Sequence, residues 1–325
     1  MMTQLIKNSR AQPVRIGLIG AGEVAENRLL PALFTLPETK LWSIASRNIE
    51  RAKTLTERFG ACAPQPAFTS LDEMLLDPEL DAVIIATPDK LHAEMAIKAA
   101  NAGKHVFVEK PMATDVDDAE RMIVAAKANN VKLAVGYHLR HHAGHHMLRA
   151  QIDKGMMGTP KHVRVMWSYN APANDWRASE ALARWWSLAA VGTHAIDLAM
   201  WFLKEEGVPL VQSEIFRDEG LLEHSATVNL KWASGKTATI VVSNRATLPR
   251  LIEVVGTVYT ARCENTLGAH GKGAVSINNI ALPFVPVDPY HKELEDFIGA
   301  ITDDREPKVG GVIGLRNLNI LTNVR

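Results

Sequence analysis

Cysteine is nearly absent from this chain. Cys62 and Cys263 are the only two in 325 residues. They lie too far apart in sequence to suggest a disulfide framework or a metal-ligand pair, which fits a reducing compartment. Long apolar runs are also missing. The opening segment MMTQLIKNSRAQPV does not read as a secretory signal, and no stretch is long enough to span a bilayer, so the expected location is the cytoplasm. There is no excess charge of one sign, with 36 basic and 36 acidic residues, which speaks against a nucleic-acid or anionic-membrane partner. No repeat or low-complexity tract is visible. Hydrophobic residues make up 47% of the chain, and its length exceeds what one core usually supports. Two domains are expected, residues 1–136 and 137–325.

The first part alternates strand-like and helix-like segments. The apolar run Val14 to Ile19 leads into Gly20-Ala21-Gly22-Glu23-Val24-Ala25, which opens a helical stretch to Phe34 interrupted by Pro31. A strand, a glycine turn and a helix in that order hold a dinucleotide pyrophosphate: the glycines admit the phosphates and the helix start presents N–H groups to them. Further strands are expected at Leu41 to Ser46, Ala82 to Thr87, His105 to Glu109 and Lys132 to Gly136. Helices are expected at Glu50 to Phe59, His92 to Ala102 and Val116 to Asn129. This alternation implies βαβ units and a parallel, Rossmann-type sheet. After Tyr137 a helix near Ala143 to Lys154 gives way to half-buried strand patterns at Lys161 to Tyr169, Ser225 to Trp232, Thr237 to Ser243 and Leu251 to Val255. A long helix, Val191 to Leu203, interrupts them. The second part therefore reads as an α+β domain with a largely antiparallel sheet, and the whole as α/β.

A set of motifs in order resembles the glucose-fructose oxidoreductase/inositol dehydrogenase/MocA-like oxidoreductases over roughly residues 13 to 320. They are the glycine turn, Ala86-Thr87-Pro88 with His92, Ala102 to Val106, and Glu109-Lys110-Pro111. Val135-Gly136-Tyr137 with Arg140, Gly155 to Gly158, Trp176-Arg177 and Gly192-Thr193-His194-Ala195-Ile196-Asp197 follow. Pro289-Tyr290 with Glu293 and Phe297 is similar to the family's C-terminal helix. The resemblance implies a Rossmann domain joined to an open-sheet domain, NAD(P) chemistry, and a homodimer or homotetramer assembled through the sheet. Relatives often continue beyond the helix expected at Gly314 to Ile320, which raises a short C-terminal truncation as an expectation.

Hydride transfer at a carbinol carbon needs a partner for the hydroxyl proton. His194 is the candidate acid/base, because an unperturbed imidazole titrates near ~6.5. Lys110 is the candidate that stabilises negative charge on the oxygen. The bland alternatives are a buried helix-start histidine and a solvated strand-end lysine. One departure from the resembled pattern is Ala190, where an acidic residue four before the histidine would orient the imidazole. Arg184 or Ser187 is the alternative polar partner.

Thr87, Pro88 and Glu109 are expected beside the nicotinamide ribose. His92 either joins them or caps the following helix. Trp176 and Arg177 resemble the family's pair reaching the cofactor from the second domain, against an exposed-loop alternative. The second strand ends Ala45-Ser46-Arg47-Asn48 with no carboxylate before Glu50. A hydroxyl and a guanidinium suit the 2′-phosphate of NADP, although arginine also stacks on the adenine of NAD.

Five histidines, His138, His141, His142, His145 and His146, recur at helical spacing and would share one helix face. A metal site is the sharp reading, but no Asp, Glu or Cys set completes it, so none is assigned. Tyr137 and His138 are candidate substrate contacts instead. Trp167, Tyr169, Trp176, Trp185 and Trp186 fit either sugar stacking or packing, with Tyr169 and Trp186 the substrate candidates. The expected activity is an NADP-favouring oxidoreductase for a secondary alcohol or ketone of a sugar, cyclitol or polyol. A redox-neutral glycosidase that keeps its NAD bound, and a non-catalytic metabolite sensor, are the alternatives.

Overall fold

The computed structural model describes residues 12–172, 175–219 and 221–325. Its first sheet is built from β1 (Val14–Ile19), β2 (Thr39–Ala45), β3 (Ala67–Phe68), β4 (Ala82–Ile85), β5 (His105–Glu109) and β6 (Leu133–Gly136). They are ordered β3-β2-β1-β4-β5-β6 and all pair in parallel. The order reverses between β1 and β4, so the crevice opens there, at the carboxyl ends of the strands. All four residues of β4 are buried, as a central strand covered on both faces requires.

Helices α1 (Leu30–Phe34), α2 (Ile49–Phe59), α3 (Leu71–Leu75), α4 (His92–Asn101) and α5 (Val116–Ala128) connect these strands. Immediately before α1 the chain makes a wide helical turn, Ala25–Leu29, in which Leu30 N–H bonds the Ala25 carbonyl five residues back. Pro31 explains it: its ring has no N–H and crowds the carbonyl four residues earlier, so the spiral opens rather than breaks. The interruption expected at Pro31 is therefore a widening within a continuing helix.

α6 (Ala143–Asp153) leads to β7 (Pro160–Ser168), and α7 (Thr193–Leu203) precedes β8 (Leu210–Arg217), β9 (Glu223–Lys231), β10 (Thr237–Ser243), β11 (Leu251–Gly256), β12 (Thr260–Glu264), β13 (Ala274–Ile277) and β14 (Ile280–Ala281). The second sheet runs β14-β13-β12-β11-β7-β10-β9-β8. Its pairs are antiparallel except β7 with β10. Along β7, Val163, Val165 and Trp167 point into the core, while Arg164 is exposed on the open face. β3, α3, β8 and β12 to β14 go beyond the sequence reading, because they are short or carry polar residues at an edge.

α8 (Pro289–Thr302) and α9 (Gly311–Leu321) return to the first sheet. Tyr290, Leu294, Phe297 and Ile298 share a core with Val14, Ile16, Leu18 and Phe107. Val135 N–H bonds the Val309 carbonyl at 2.9 Å, so the end of the chain borders β6. Among the described residues no helix is long and apolar enough to cross a membrane.

Candidate active site

Every strand end along the crevice carries a residue singled out by sequence. Gly20 follows β1 with φ +98°, and a Cβ there would lie 2.5 Å from the Ala86 carbonyl, so only glycine lets β1 and β4 end this close. Gly22 is open on that side and its carbonyl accepts Glu26 N–H at 3.0 Å, marking the helix start. The N–H groups of the first turn have no helical acceptor and suit phosphate oxygens. Glu23 and Val24 are exposed there, whereas Ala21 and Ala25 are buried. Ala25 is thus the close-packing residue beneath the turn, with its side chain in the core.

After β2, Ser46 accepts Asn48 N–H at 3.3 Å and Arg47 is exposed. Arg51, which sequence reasoning did not single out, bonds the Ala21 carbonyl and pairs with Glu26 at 2.6 Å, fastening α2 to the glycine turn. These residues fit a dinucleotide: a glycine cradle, a helix start, and an arginine at the second strand's end.

His92 is a correction. Its ring is fully buried, with Nδ1 2.8 Å from the Pro111 carbonyl and Nε2 2.9 Å from that of Thr87. Both nitrogens are engaged by backbone, so His92 ties the loop after β4 to the loop after β5 and neither caps α4 nor reaches a ligand. Thr87 Oγ1 is buried without a partner beside Pro88.

Lys110 follows β5 and is 9% exposed. Its Nζ donates to the carbonyls of Ala189 at 3.2 Å and Ala190 at 3.1 Å. Those carbonyls belong to a second wide turn, Leu188–Gly192, where Thr193 N–H reaches back to Leu188. Burial, followed by the nearby Arg177 charge, lowers the lysine to about 8. Glu109 lies behind it, its Oε1 buried without a partner. Burial raises Glu109 against the pull of Lys110, and raises Glu293 on α8 well above the carboxylate range, with Glu109 adding to the effect.

The wide turn delivers His194 to the first turn of α7. The ring is 2% exposed and its Nδ1 has no partner. Tyr137 at 5.6 Å, His138 at 4.7 Å and Trp167 at 5.8 Å surround it. Burial, then His138 and Lys110, hold it well below the ordinary imidazole value. His194 is therefore neutral at neutral pH, which corrects the value near ~6.5 taken from a free side chain.

His138 stacks on Tyr290 at 4.4 Å with both ring nitrogens buried and unpartnered. Tyr137 is pinned differently: its hydroxyl bonds Thr193 Oγ1 at 2.7 Å, so it supports α7. Asp197, one turn after His194, takes a forked pair from Arg140 at 2.7 and 2.8 Å and a bond from Asn317 at 2.7 Å. That network fixes α7 against α9 and the turn after β6.

Arg177, Leu182 and Arg184 lie against the loops after β4 and β5. Arg177 pairs with buried Asp89 at 3.1 Å and lies 4.1 Å from the Trp176 ring. Lys90 N–H bonds the Leu182 carbonyl, and Arg184 bonds the Thr114 carbonyl at 2.8 Å. Arg184 is thus engaged away from His194, and Ser187 lies against Glu223, so neither replaces a carboxylate at position 190. Trp186 is a further correction: it packs with Ala183 and Leu222 and donates to Asp175 at 2.9 Å, while Trp167 is the tryptophan at His194. Tyr169 faces Asn244, Asp175 and Arg177 at the end of β7.

The histidine run is divided. His138 to His141 form a tight 3-10 turn, and His142 caps α6 by accepting Gly144 N–H at 3.1 Å. His142 and His145 stack at 4.3 Å, with His145 held by Leu139 and Thr266. The break at His142 removes the shared helix face expected from spacing. Among the described residues no three His, Cys, Asp or Glu side chains converge as a metal set. Asp89, Glu223, Tyr290 and Glu293 were not assigned to the site from sequence. Only the last two lay in a motif, and nothing local placed them against β5.

Residues 14–137 match the oxidoreductase family with NAD-binding Rossmann fold, and residues 145–262 match the GFO/IDH/MocA C-terminal domain. The chain is 29% identical over 314 residues to 1,5-anhydro-D-fructose reductase from Ensifer adhaerens, covering 94% of this chain and 93% of that protein. It is 39% identical over 150 residues to dTDP-3,4-didehydro-2,6-dideoxy-alpha-D-glucose 3-reductase from Actinomadura kijaniata, a match that spans 46% of this chain and 44% of that protein. A 3-ketoreductase from Actinomadura kijaniata, solved with NADP and TDP-benzene, superposes with a TM-score of 0.87 at 27% identity, covering 97% of each chain.

Proposed function

The chain belongs to the glucose-fructose oxidoreductase/inositol dehydrogenase/MocA family of NAD(P)-dependent oxidoreductases, and from that premise we propose that it prefers NADP and acts on a secondary alcohol or ketone of a sugar, cyclitol or related polyol. The carrying observation is the meeting of Lys110 and His194 at the wide turn before α7. Nearby, His194 Nδ1 and both nitrogens of His138 are buried polar atoms that a polyhydroxylated ligand would satisfy. The similarity to a sugar reductase and a ketoreductase supports the same substrate class.

Bound NADP supplies or receives the hydride. Gly20 to Ala25 form its pyrophosphate cradle, with Glu23 and Val24 at the exposed rim and Ala25 packing below. Ser46 and Arg47 take the 2′-phosphate through charge-assisted bonds. Thr87, Pro88 and Glu109 would line the nicotinamide side, and Trp176 and Arg177 would approach it from the segment after β7. The Lys110 ammonium stabilises negative charge on the substrate oxygen. Neutral His194 accepts the hydroxyl proton during oxidation and returns it during reduction. His138 and Tyr169 flank the substrate. We further assign a cytoplasmic location, on the strength of two unpaired cysteines, and a homodimer or homotetramer joined through the open face of the second sheet.

The test is turnover with NADP and with NAD across sugars, cyclitols and polyols, followed by nicotinamide absorbance. Activity on a few related compounds, stronger with NADP, is the expected result. Silence across the panel in samples shown to bind cofactor would overturn the proposed chemistry.

A further inference from the structure

Position 190 lacks a carboxylate, but one serves this turn from another strand. Glu223 opens β9 and is 4% exposed. One of its oxygens, Oε1, accepts both Trp186 N–H at 2.8 Å and Leu188 N–H at 2.9 Å. These are donors that a helix start leaves without internal acceptors. At the other side of the same short segment, the carbonyls of Ala189 and Ala190 hold Lys110 Nζ. Only the peptide units of residues 186–190 lie between the carboxylate and the ammonium. The N–H groups of Trp186 and Leu188 face the anion and the carbonyls of Ala189 and Ala190 face the cation, so each charge favours the orientation that the other needs.

Resting on the role proposed for Lys110, we infer that Glu223 is a positioning residue, which fixes the wide turn and through it the place of the reactive ammonium. It does so without touching substrate or cofactor. Burial pushes its carboxyl up to about 7, although the two backbone bonds and Ser187 favour the charged form. The titratable side chain facing it is Tyr169 beyond β7, which burial raises to about 12 and so keeps neutral. Lys110 itself lies within the fields of Arg177, Glu109, Asp89 and Asp175, and of His138, His194 and Glu293. Loss of the Glu223 charge therefore weakens the cap within the neutral range, and the lysine should register it.

The experiment follows Lys110 in the full chain with selectively 15N- and 13C-labelled lysine, its signal identified by Lys110→Arg. The wild-type signal should titrate at about 8 with a second inflection near 7. Glu223→Gln, which keeps an acceptor oxygen but cannot ionise, should retain the first step and lose the second. Glu223→Ala should shift the Lys110 resonance and lower kcat about 10- to 100-fold on the best panel substrate while leaving NADPH binding unchanged. Glu223→Gln, which keeps the acceptor but not the charge, should recover most of kcat. An inflection near 7 that persists in Glu223→Gln, or an unaltered lysine signal in folded Glu223→Ala, overturns the inference. Should the alanine variant fail to fold, the glutamine titration alone decides. Lys110→Met is assayed beside them: retained turnover there rejects the lysine's catalytic role, whereas its loss with wild-type-like Glu223 variants rejects the positioning role alone.

Discussion

Two helices border the crevice, and each contains or follows a five-residue wide turn, Ala25–Leu29 after β1 and Leu188–Gly192 before α7. The first has a local cause, Pro31, and lies beyond the glycine turn that would meet the cofactor. The second contains no proline. Glu223, at the start of β9, takes the Leu188 N–H at its beginning and the Trp186 N–H just before it, and Lys110, just after β5, holds its Ala189 and Ala190 carbonyls; the two residues are distant in sequence. The same backbone irregularity is thus a steric accommodation in one place and a junction of two buried charges in the other. Wide turns of this kind often mark functional sites, and here only the second joins proposed catalytic groups.

The difference between the two turns rests most heavily on Lys110. Lys110→Met should lower kcat about 100-fold or more with little change in NADPH affinity, measured by steady-state kinetics and fluorescence titration. Its pH dependence has a definite sign. Because the ammonium is the working form and its pKa is lowered to about 8, activity should be present below that pH and fall as pH rises through it. An alkaline limb unmoved in Lys110→Arg would assign the limb to another group.

Next in size is the anchor of α7. Asp197→Ala strands Arg140 and Asn317 in a nearly buried site and should cost about 3–5 kcal/mol in urea unfolding. A change below experimental error would show that the wide turn, rather than this network, holds the helix. Arg47→Ala tests the first half of the crevice and should weaken NADPH binding about 10- to 100-fold, with NADH nearly unaffected. Equal losses for the two cofactors would reject the 2′-phosphate assignment. The smallest effect is expected for Pro31→Ala, which should let the first turn tighten and raise stability by about 1 kcal/mol or less, since the gain in helix propensity is offset by a freer unfolded chain. Thermal melting measures it, and a large loss of kcat would mean that the two turns are less different than their partners suggest.

The parallel sheet was legible because its signals are local. β1 and β5 begin and end where their apolar runs do, and Gly20, Lys110 and Tyr137 stand at strand ends as the alternation requires. Lys110 and His194 could be named from motifs, but the lysine's hold on the Ala189 and Ala190 carbonyls could not. The histidine run shows the limit from the other side: its spacing is helical, yet His142 leaves the helix to cap α6. Trp186 and Trp167 are alike as sequence signals, and packing alone sends the latter to His194.

By itself the sequence determined the alternation of strands and helices, the glycine turn and the set of candidate side chains, since backbone sterics and hydrophobic periodicity act over a few residues. Tertiary structure decided the protonation of His194, the lowered affinity of Lys110 for its proton, and the recruitment of Glu223, Tyr290 and Glu293. Those properties depend on burial and on charges brought together from distant strands and helices, and neither exists until the chain has packed.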